Sequence, residues 1–558
     1  MHIVLDRSRA GSVLAVHLDD AGAVLQEHTV APDALTAYVR DHEQTGPRWV
    51  WNDTRAWYPP LLAAGVRVER CVDLQLSHAI LRLSTLSATS ELALRPPGPW
   101  DVRPDIADDS AVHVALFDLD DEEDRTEALS ALDEFTAQQT AIAGSSGAGR
   151  LRLLLAAESA GALIANEMRF AGLPYSAERH DRLLTDLLGS RPVAGGRPAR
   201  LEQLAAEIRA NLDAPSLNPD SPPELLRALQ RAGLIVSSTR SWELRELEHP
   251  VIEPLLRYKK LSRLLTANGW TWLDAWIRDG RFRPDYLPGG VVTGRWATKG
   301  GGALQLPRQV RGAVVADPGW KLVVADAAQL EPRILTGLSG DTAMAAAGRG
   351  KDLYEGIVAS GAVDQRAHAK VAMLGAMYGA TTGESGRLMP RLTRAFPRAI
   401  RLVEEAARAG ERGEVVTSRL GRSSPRPGSA WLAAQSAASG ADSTDAEERR
   451  ARSQARDWGR FTRNFVVQAS AAEWALCWMA ELRKQLSGMT PDRRLEDGPH
   501  LVYFLHDEVI VHTPAELAER TAAAVTDAAA QAGRLLFGGF PVEFPVTAAV
   551  VDTYAEAK

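Results

Sequence analysis

The sequence predicts an α/β protein of several domains, and three observations point that way. A chain of 558 residues exceeds what one hydrophobic core organises, since a domain holds roughly 100–200 residues. Its apolar fraction of 45% and charged fraction of 24% are those of globular rather than disordered chains. Its first part is a succession of short apolar runs, whereas from Arg150 onward apolar residues recur at three- and four-residue spacing.

The runs HIVLD, SVLAVHLDD, GAVLQEHTV and WVWND, starting at His2, Ser12, Gly22 and Trp49, are separated by turn residues and predict four strands. The acidic stretch that follows and then GSSGAG, Gly144–Gly149, read as an exit linker. LRLLLAAESAGALIANEMRFAGL, from Leu151, predicts a helix ending near Pro174. Helical patterns continue to about Ile277, broken by the loop NLDAPSLNPDSPP, and strand-like runs then alternate with long helices. Ser423–Thr444, rich in Ser, Ala, Gly and Pro, reads as a mobile insertion.

Composition excludes several classes of function. No run approaches the roughly 18 apolar residues of a membrane span, and the start MHIVLDRSRA lacks a signal-peptide pattern. Cys71 and Cys477 are the only cysteines, too few for a disulfide framework or a four-cysteine zinc site. A reducing cytoplasm fits. The net charge of −7 is unevenly placed: Asp101 to Phe135 carries 13 Asp+Glu against two Arg, leaving 62 basic and 58 acidic residues elsewhere. Arg281 to Gly312 carries six Lys/Arg against Asp285 alone. A basic, glycine-rich stretch suits a phosphate backbone, although solvated surface is the plainer alternative.

Five stretches carry chemistry. In KLVVADAAQLEPRIL, Lys321–Leu335, an apolar strand delivers Asp326 at its end, as a divalent-metal ligand or as the cap of the next helix. In YFLHDEVIVHTP, Tyr503–Pro514, two β-prone runs place His506, Asp507 and Glu508 at a hairpin turn. Asp326 and Asp507 together form a candidate two-metal site. In RAHAKVAMLGAMYGAT, Arg366–Thr381, Arg366, Lys370, Leu374 and Tyr378 recur every four residues along a helical stripe, presenting a guanidinium and an ammonium as a polyphosphate needs. VVTGRWATKGGGALQLPRQVRG, Val291–Gly312, interleaves glycines and cations with Trp296 and Gln305, groups able to follow phosphates and reach minor-groove acceptors. RNFVVQASAAEWAL, Arg463–Leu476, reads as a helix start projecting Gln468.

In their order and spacing these stretches resemble a family A DNA polymerase, the DNA polymerase I type, over about Arg150 to Lys558. DAAQLEPR is similar to that family's DYSQIELR, the Arg366 to Gly379 stripe to its second motif, and His506-Asp507-Glu508 to its third. TGRW with LQLP, and RNFVVQASAAE, resemble two template–primer motifs; GEVVTSRLGR and the C-terminal VVDTYAEAK resemble a further segment and the last strand. The resemblance implies a right-hand polymerase fold of thumb, palm and fingers, preceded by an RNase H-like, 3′-5′ exonuclease-type N-terminal domain. The expected divisions are 1–143 for that domain, 144–157 for a linker, 158–277 for the thumb, 278–345 and 481–558 for the palm, and 346–480 for the fingers.

Carried over residue by residue, the resemblance implies metal ligation by Asp326 and Asp507 with Glu508 beside them, and a triphosphate grip by Arg366 and Lys370. Tyr378 would sit against the nascent base pair, Glu331 would exclude a ribose 2′-OH, and Gln329 would line the same site. Arg295, Gln305 and Gln468 would contact DNA, and His506 would support the primer terminus. Two Mg²⁺ ions, replaceable by Mn²⁺, are the implied cofactors; primer–template DNA and dNTPs are the implied partners of a cytoplasmic, nucleoid-associated monomer.

The sequence departs from the family at Ala327, Ala328 and Pro332, at Leu374 in place of a stacking aromatic, at Tyr354 in place of a histidine, and at Phe504 in place of a glutamine. The N-terminal domain lacks the exonuclease acids: Asp6-Arg7-Ser8 has no Glu, Asn52-Asp53 matches weakly, and no Y-x-x-x-D occurs before Gly149. It is expected to be a degenerate scaffold, with no 5′-nuclease domain. Two other classes share these residues, a template–primer binding protein without catalysis and a single-subunit RNA polymerase. Both aspartates speak against the first and Glu331 against the second.

Overall fold

The structure is a computed structural model that describes residues 1–8, 11–102, 130–193, 196–302, 306–379, 383–440, 443–491 and 494–557. The chain divides into two compact units, one of Met1–Ala171, Asp285–Lys299 and Val323–Val550, the other of Gly172–Pro284, Gly300–Leu322 and Val551–Lys558.

The first unit opens with β1 (His2–Arg7), β2 (Val13–Leu18), β3 (Val24–Val30), α1 (Leu35–Glu43), β4 (Arg48–Trp51), α2 (Thr54–Ala63), β5 (Cys71–Asp73) and α3 (Leu74–Leu83). The sheet order is β3-β2-β1-β4-β5, with β1 antiparallel to β2 and parallel to β4. Because side chains alternate along a strand, Ile3, Leu5, Trp49 and Trp51 enter one core, while Val4, Val16 and Val50 enter another beneath Trp100 and Phe135. All four strands expected from the sequence form.

The expected linker does not form. Helix α4 (Ala131–Ala143) is followed after four residues by α5 (Ala148–Ala171). Gly144–Gly147 makes a turn pinned by the Ser146 amide on the Leu86 carbonyl and the Ser145 hydroxyl on that of Ile142. The glycines serve tight geometry here rather than flexibility, and the first unit runs on to Ala171 instead of ending at residue 143.

The second unit is mostly helical, through Ala177–Leu188, Ala199–Asn211, Pro222–Arg231, Ile252–Asn268 and Trp270–Trp276. The expected loop separates the second and third of these. A small sheet of two-residue strands, Leu173–Pro174, Arg281–Phe282 and Ile277–Arg278 in that order, completes it.

The remainder of the first unit carries β6 (Tyr286–Leu287) paired with β7 (Ala297–Thr298), then β8 (Trp320–Ala327), α6 (Leu330–Ser339), α7 (Leu353–Ala359), α8 (Arg366–Tyr378), α9 (Pro397–Glu411), α10 (Ser429–Ala438), α11 (Asp445–Ser487), β9 (His500–Leu505), β10 (Glu508–Pro514), α12 (Ala518–Phe537) and β11 (Val546–Val551). Its sheet has the order β9-β10-β8-β11. Helix α11 packs against α5, α9 and α12 and buries Trp474 and Trp478 completely.

Three further expectations are corrected. The supposed mobile insertion contains α10, which packs on α11 with Gln435 Nε2 donating to the Ala451 carbonyl at 2.9 Å; its small residues suit close helix contact. The segment from Arg463 lies within α11 rather than at a helix start. That helix is 43 residues long and begins at Thr444, whose hydroxyl and Glu447 form a reciprocal cap. At the C-terminus the strand ends at Val551, and Tyr554–Ala557 form a 3₁₀ turn.

Candidate active site

The sheet positions both carboxylates. Asp326 is the next-to-last residue of β8, and the amide of the last, Ala327, donates to the Asp507 carbonyl at 2.8 Å. That bond ties the end of β8 to the β9–β10 turn, so the motifs expected to meet do meet. Asp326 does not cap the following helix: the cap position of α6 is Gln329, whose side chain makes no capping bond and whose φ of 49° is left-handed. His506, at φ 57°, turns β9 into β10. Glu508 is already in β10 and is 3% exposed.

A cavity of about 340 Å³ opens beside Asp507. Its polar rim is Arg295, Gln329, Glu331, Tyr378, His506 and Asp507; its apolar wall includes Trp296, Pro332, Tyr354, Leu374, Leu476, Met479 and Phe504. Eight residues singled out in the sequence thus share one cavity: Arg295, Gln329, Glu331, Tyr354, Leu374, Tyr378, His506 and Asp507. Asp326, Arg366, Lys370, Gln468 and Glu508 do not line it, and Gln305 falls outside the described residues.

Across the rim, Glu331 accepts from Arg295 in an ion pair and from the Tyr378 hydroxyl at 2.7 Å. Gln468 Nε2 reaches the same hydroxyl at 3.5 Å. Loss of hydration and then the Glu331 carboxylate push the Tyr378 phenol above its usual value. Tyr378 ends α8, where Gly379 takes the left-handed cap conformation at φ 75°. A Cβ at Gly379 would lie 2.9 Å from the Arg460 stem, so both backbone and space require glycine.

Arg366 and Lys370 stand on α8 as the spacing predicts. The Arg366 guanidinium pairs with Asp352 at 2.7 Å and lies 5.5 Å from the Tyr354 ring centre. Burial, then the charges of Asp352 and Glu331, push the Tyr354 phenol up to about 12. The basic stretch is less free than its composition suggests: Arg281 pairs with Asp317 and Arg295 with Glu331.

Sequence reasoning gave Arg333 no role, and it named Asp352 only within Asp352-Leu353-Tyr354, which is similar to a D-I-H segment of the family. Arg333 is 2% exposed and donates to the carbonyls of Ala328, Gly348, Lys351 and Glu543. An arginine on the apolar side of the α6 pattern was the available signal.

The carboxylates suit a divalent cation. Their donors are hard oxygens, and among the described residues no three His, Cys, Asp or Glu come together. Glu508 therefore does not join Asp326 and Asp507 in one cluster as expected; Mg²⁺ is commonly held by one or two carboxylates plus substrate phosphates rather than by a protein cage, and Asp326 and Asp507 would hold an ion in that way.

Comparison with known proteins places this fold. The chain belongs to DNA polymerase family A, whose model matches residues 197–556. DNA polymerase I, thermostable, of Thermus filiformis is 26% identical over 343 residues, covering 56% of this chain and 37% of that protein. DNA polymerase I of Chloroflexus aurantiacus is 27% identical over 335 residues, covering 54% and 32%. The chain therefore spans about a third of the length of these curated relatives. The POL domain of Pol1 from M. smegmatis, solved in complex with DNA primer-template and dNTP, shares the fold with a TM-score of 0.69 at 18% identity, covering 99% of this chain and 95% of that one. Among the described residues, no helix is long and apolar enough to cross a membrane.

Proposed function

We propose that the chain is a DNA-templated DNA polymerase that adds dNTPs to a primer 3′-OH. The observation that carries this reading is the bond from the Ala327 amide to the Asp507 carbonyl, which ties the strand bearing Asp326 to the turn bearing Asp507, beside a cavity rimmed by Arg295, Glu331 and Tyr378.

In the reaction the primer 3′ oxygen attacks the α-phosphorus of the dNTP, the bond to the β-phosphate oxygen breaks, and pyrophosphate leaves. Asp326 and Asp507 would hold two divalent ions, Mg²⁺ by the donor chemistry, whose charge would offset that developing on the phosphate. Arg366 and Lys370 hold the triphosphate from α8. Glu331, braced by Arg295 and Tyr378, stands where a ribose 2′-OH would have to fit. Gln468 contacts the duplex, and His506 supports the primer end from its turn.

The second unit serves as thumb, the β8–β11 sheet as palm and α7–α11 as fingers. The N-terminal part is an exonuclease-like scaffold without the activity. Asp53 caps α2 by accepting from the Arg55 amide, and Asp6 accepts from the Ala131 amide at the start of α4, whose cap is Ser130. Primer–template DNA and dNTPs are the partners of a monomer working on the nucleoid.

The test is primer extension with each dNTP. Asp326→Ala and Asp507→Asn should each abolish extension while primer–template affinity, set mainly by phosphate contacts, stays within about two-fold. Wild type that binds primer–template but never extends it would show a binding protein instead, and substantial extension by both variants would remove the carboxylates from the mechanism.

A further inference from the structure

Arg366 is the cation placed to grip a triphosphate, yet its guanidinium is engaged elsewhere. Asp352 Oδ2 accepts from Arg366 Nη2 at 2.7 Å and Nε at 3.3 Å, and from Gln329 Nε2 at 3.0 Å. We propose that Asp352 is a positioning residue that competes with the nucleotide triphosphate for Arg366 and so sets how tightly the site takes a nucleotide. The proposal rests on the polymerase reading above.

The two ends of this contact are held very differently. Asp352 opens α7, its Oδ1 accepting from the Glu355 amide at 3.0 Å. Gln329 braces it from the other side, with its own Oε1 taken by the Leu353 amide and Arg333 Nη2, both at 3.3 Å. Arg333 in turn is fixed by backbone carbonyls. Asp352 is therefore anchored, whereas the Arg366 side chain is 51% exposed and able to swing.

The Tyr354 ring beneath Arg366 also lines the cavity, so the guanidinium need only cross that ring to reach a ligand there. A triphosphate carries more charge than a carboxylate and offers several paired acceptors, so it wins Arg366 at some cost in affinity. Capping α7 needs a polar oxygen and not a charge, and Asn or Ser caps as well as Asp. The charge on Asp352 is thus separable from its structural role.

Asp352→Asn, with Asp352→Ser as a second capping variant, isolates that charge in the full chain. Tripolyphosphate titration by calorimetry and single-nucleotide incorporation against dNTP concentration are the two readouts, with thermal melting to confirm an intact fold. Tripolyphosphate affinity should rise and the dNTP KM should fall by about two- to five-fold, the span open to an exposed ion pair. The kcat should stay within about two-fold, and the gain should vanish in an Arg366→Gln background. Unchanged or weaker tripolyphosphate binding in both variants, or an equal gain without Arg366, overturns the proposal. If wild type extends no primer, the polymerase reading fails, and the tripolyphosphate titration still decides the competition.

Discussion

Of the four non-glycine residues with left-handed backbone among those described, two are at the site, Gln329 and His506. Each such residue costs on the order of 1–3 kcal/mol and persists only where its surroundings hold it. Gln329 is held by Arg333 and Asp352, and His506 by the closure of β9 onto β10. At the same scale, Leu374, where the family resemblance implies a stacking aromatic, lines the cavity. Stacking on an aromatic is worth about 1–3 kcal/mol per base, and 1 kcal/mol is a factor of about five. Leu374→Phe should therefore lower the dNTP KM several-fold in single-turnover incorporation. Tyr354 lines the same cavity, so Tyr354→Ala is the informative partner: an unchanged KM for Leu374→Phe beside a raised one for Tyr354→Ala would move the stacking role to Tyr354.

Helices α5 and α11 carry the element-scale logic. Glu167 on α5 accepts from Arg483 of α11 at 2.7 and 3.0 Å, from Arg67 and from the Tyr58 hydroxyl, and all but Arg67 are nearly sealed from water. Burial alone would raise its carboxyl; Arg483 and Arg67 outweigh that and hold it at about 2. Removing one partner of a buried pair strands the other charge, at about 3–5 kcal/mol. Arg483→Met should lower unfolding free energy by that amount in urea denaturation, and adding Glu167→Gln should restore part of it. A loss under about 1 kcal/mol, the level of a surface pair, would show that the cluster is not a structural brace. The N-terminal sheet makes a second element-scale expectation. With Asp6 and Asp53 committed to amides at helix starts, the purified chain should leave a mismatched primer 3′ end intact; metal-dependent digestion lost on Asp6→Ala but kept on Asp507→Ala would show a working exonuclease.

For the molecule as a whole, one pH response traces to a single buried ring. In the helical unit His180 is fully buried, with Tyr175 Oη at 2.8 Å from Nδ1 and the Asn268 carbonyl at 2.9 Å from Nε2. Burial pushes the ring down to about 4 from an ordinary 6.5. The unfolded chain thus binds a proton in that window that the folded unit refuses. The contribution is complete above pH 6.5 and is lost as pH falls toward 4, by up to about 3 kcal/mol at 1.36 kcal/mol per unit. Denaturation followed through the tryptophans of this unit should weaken over that range, and His180→Phe should flatten the dependence.

Read without coordinates, the chain already announced its strands, its helical stripe and the order of its motifs, because alternation and three-to-four spacing are local properties. The family resemblance puts Glu331, Tyr378 and His506 at one site, and the three line one cavity. Composition misled at Gly144–Gly149 and Ser423–Thr444, where small residues serve a tight turn and close helix packing that only neighbours across the fold reveal. The engagement of Arg366 with Asp352, of Arg295 with Glu331, and of Arg333 with four carbonyls was likewise decided by tertiary structure. Partners 5 to 210 residues apart in sequence meet through the packing of whole elements, and no local pattern encodes which charge neutralises which.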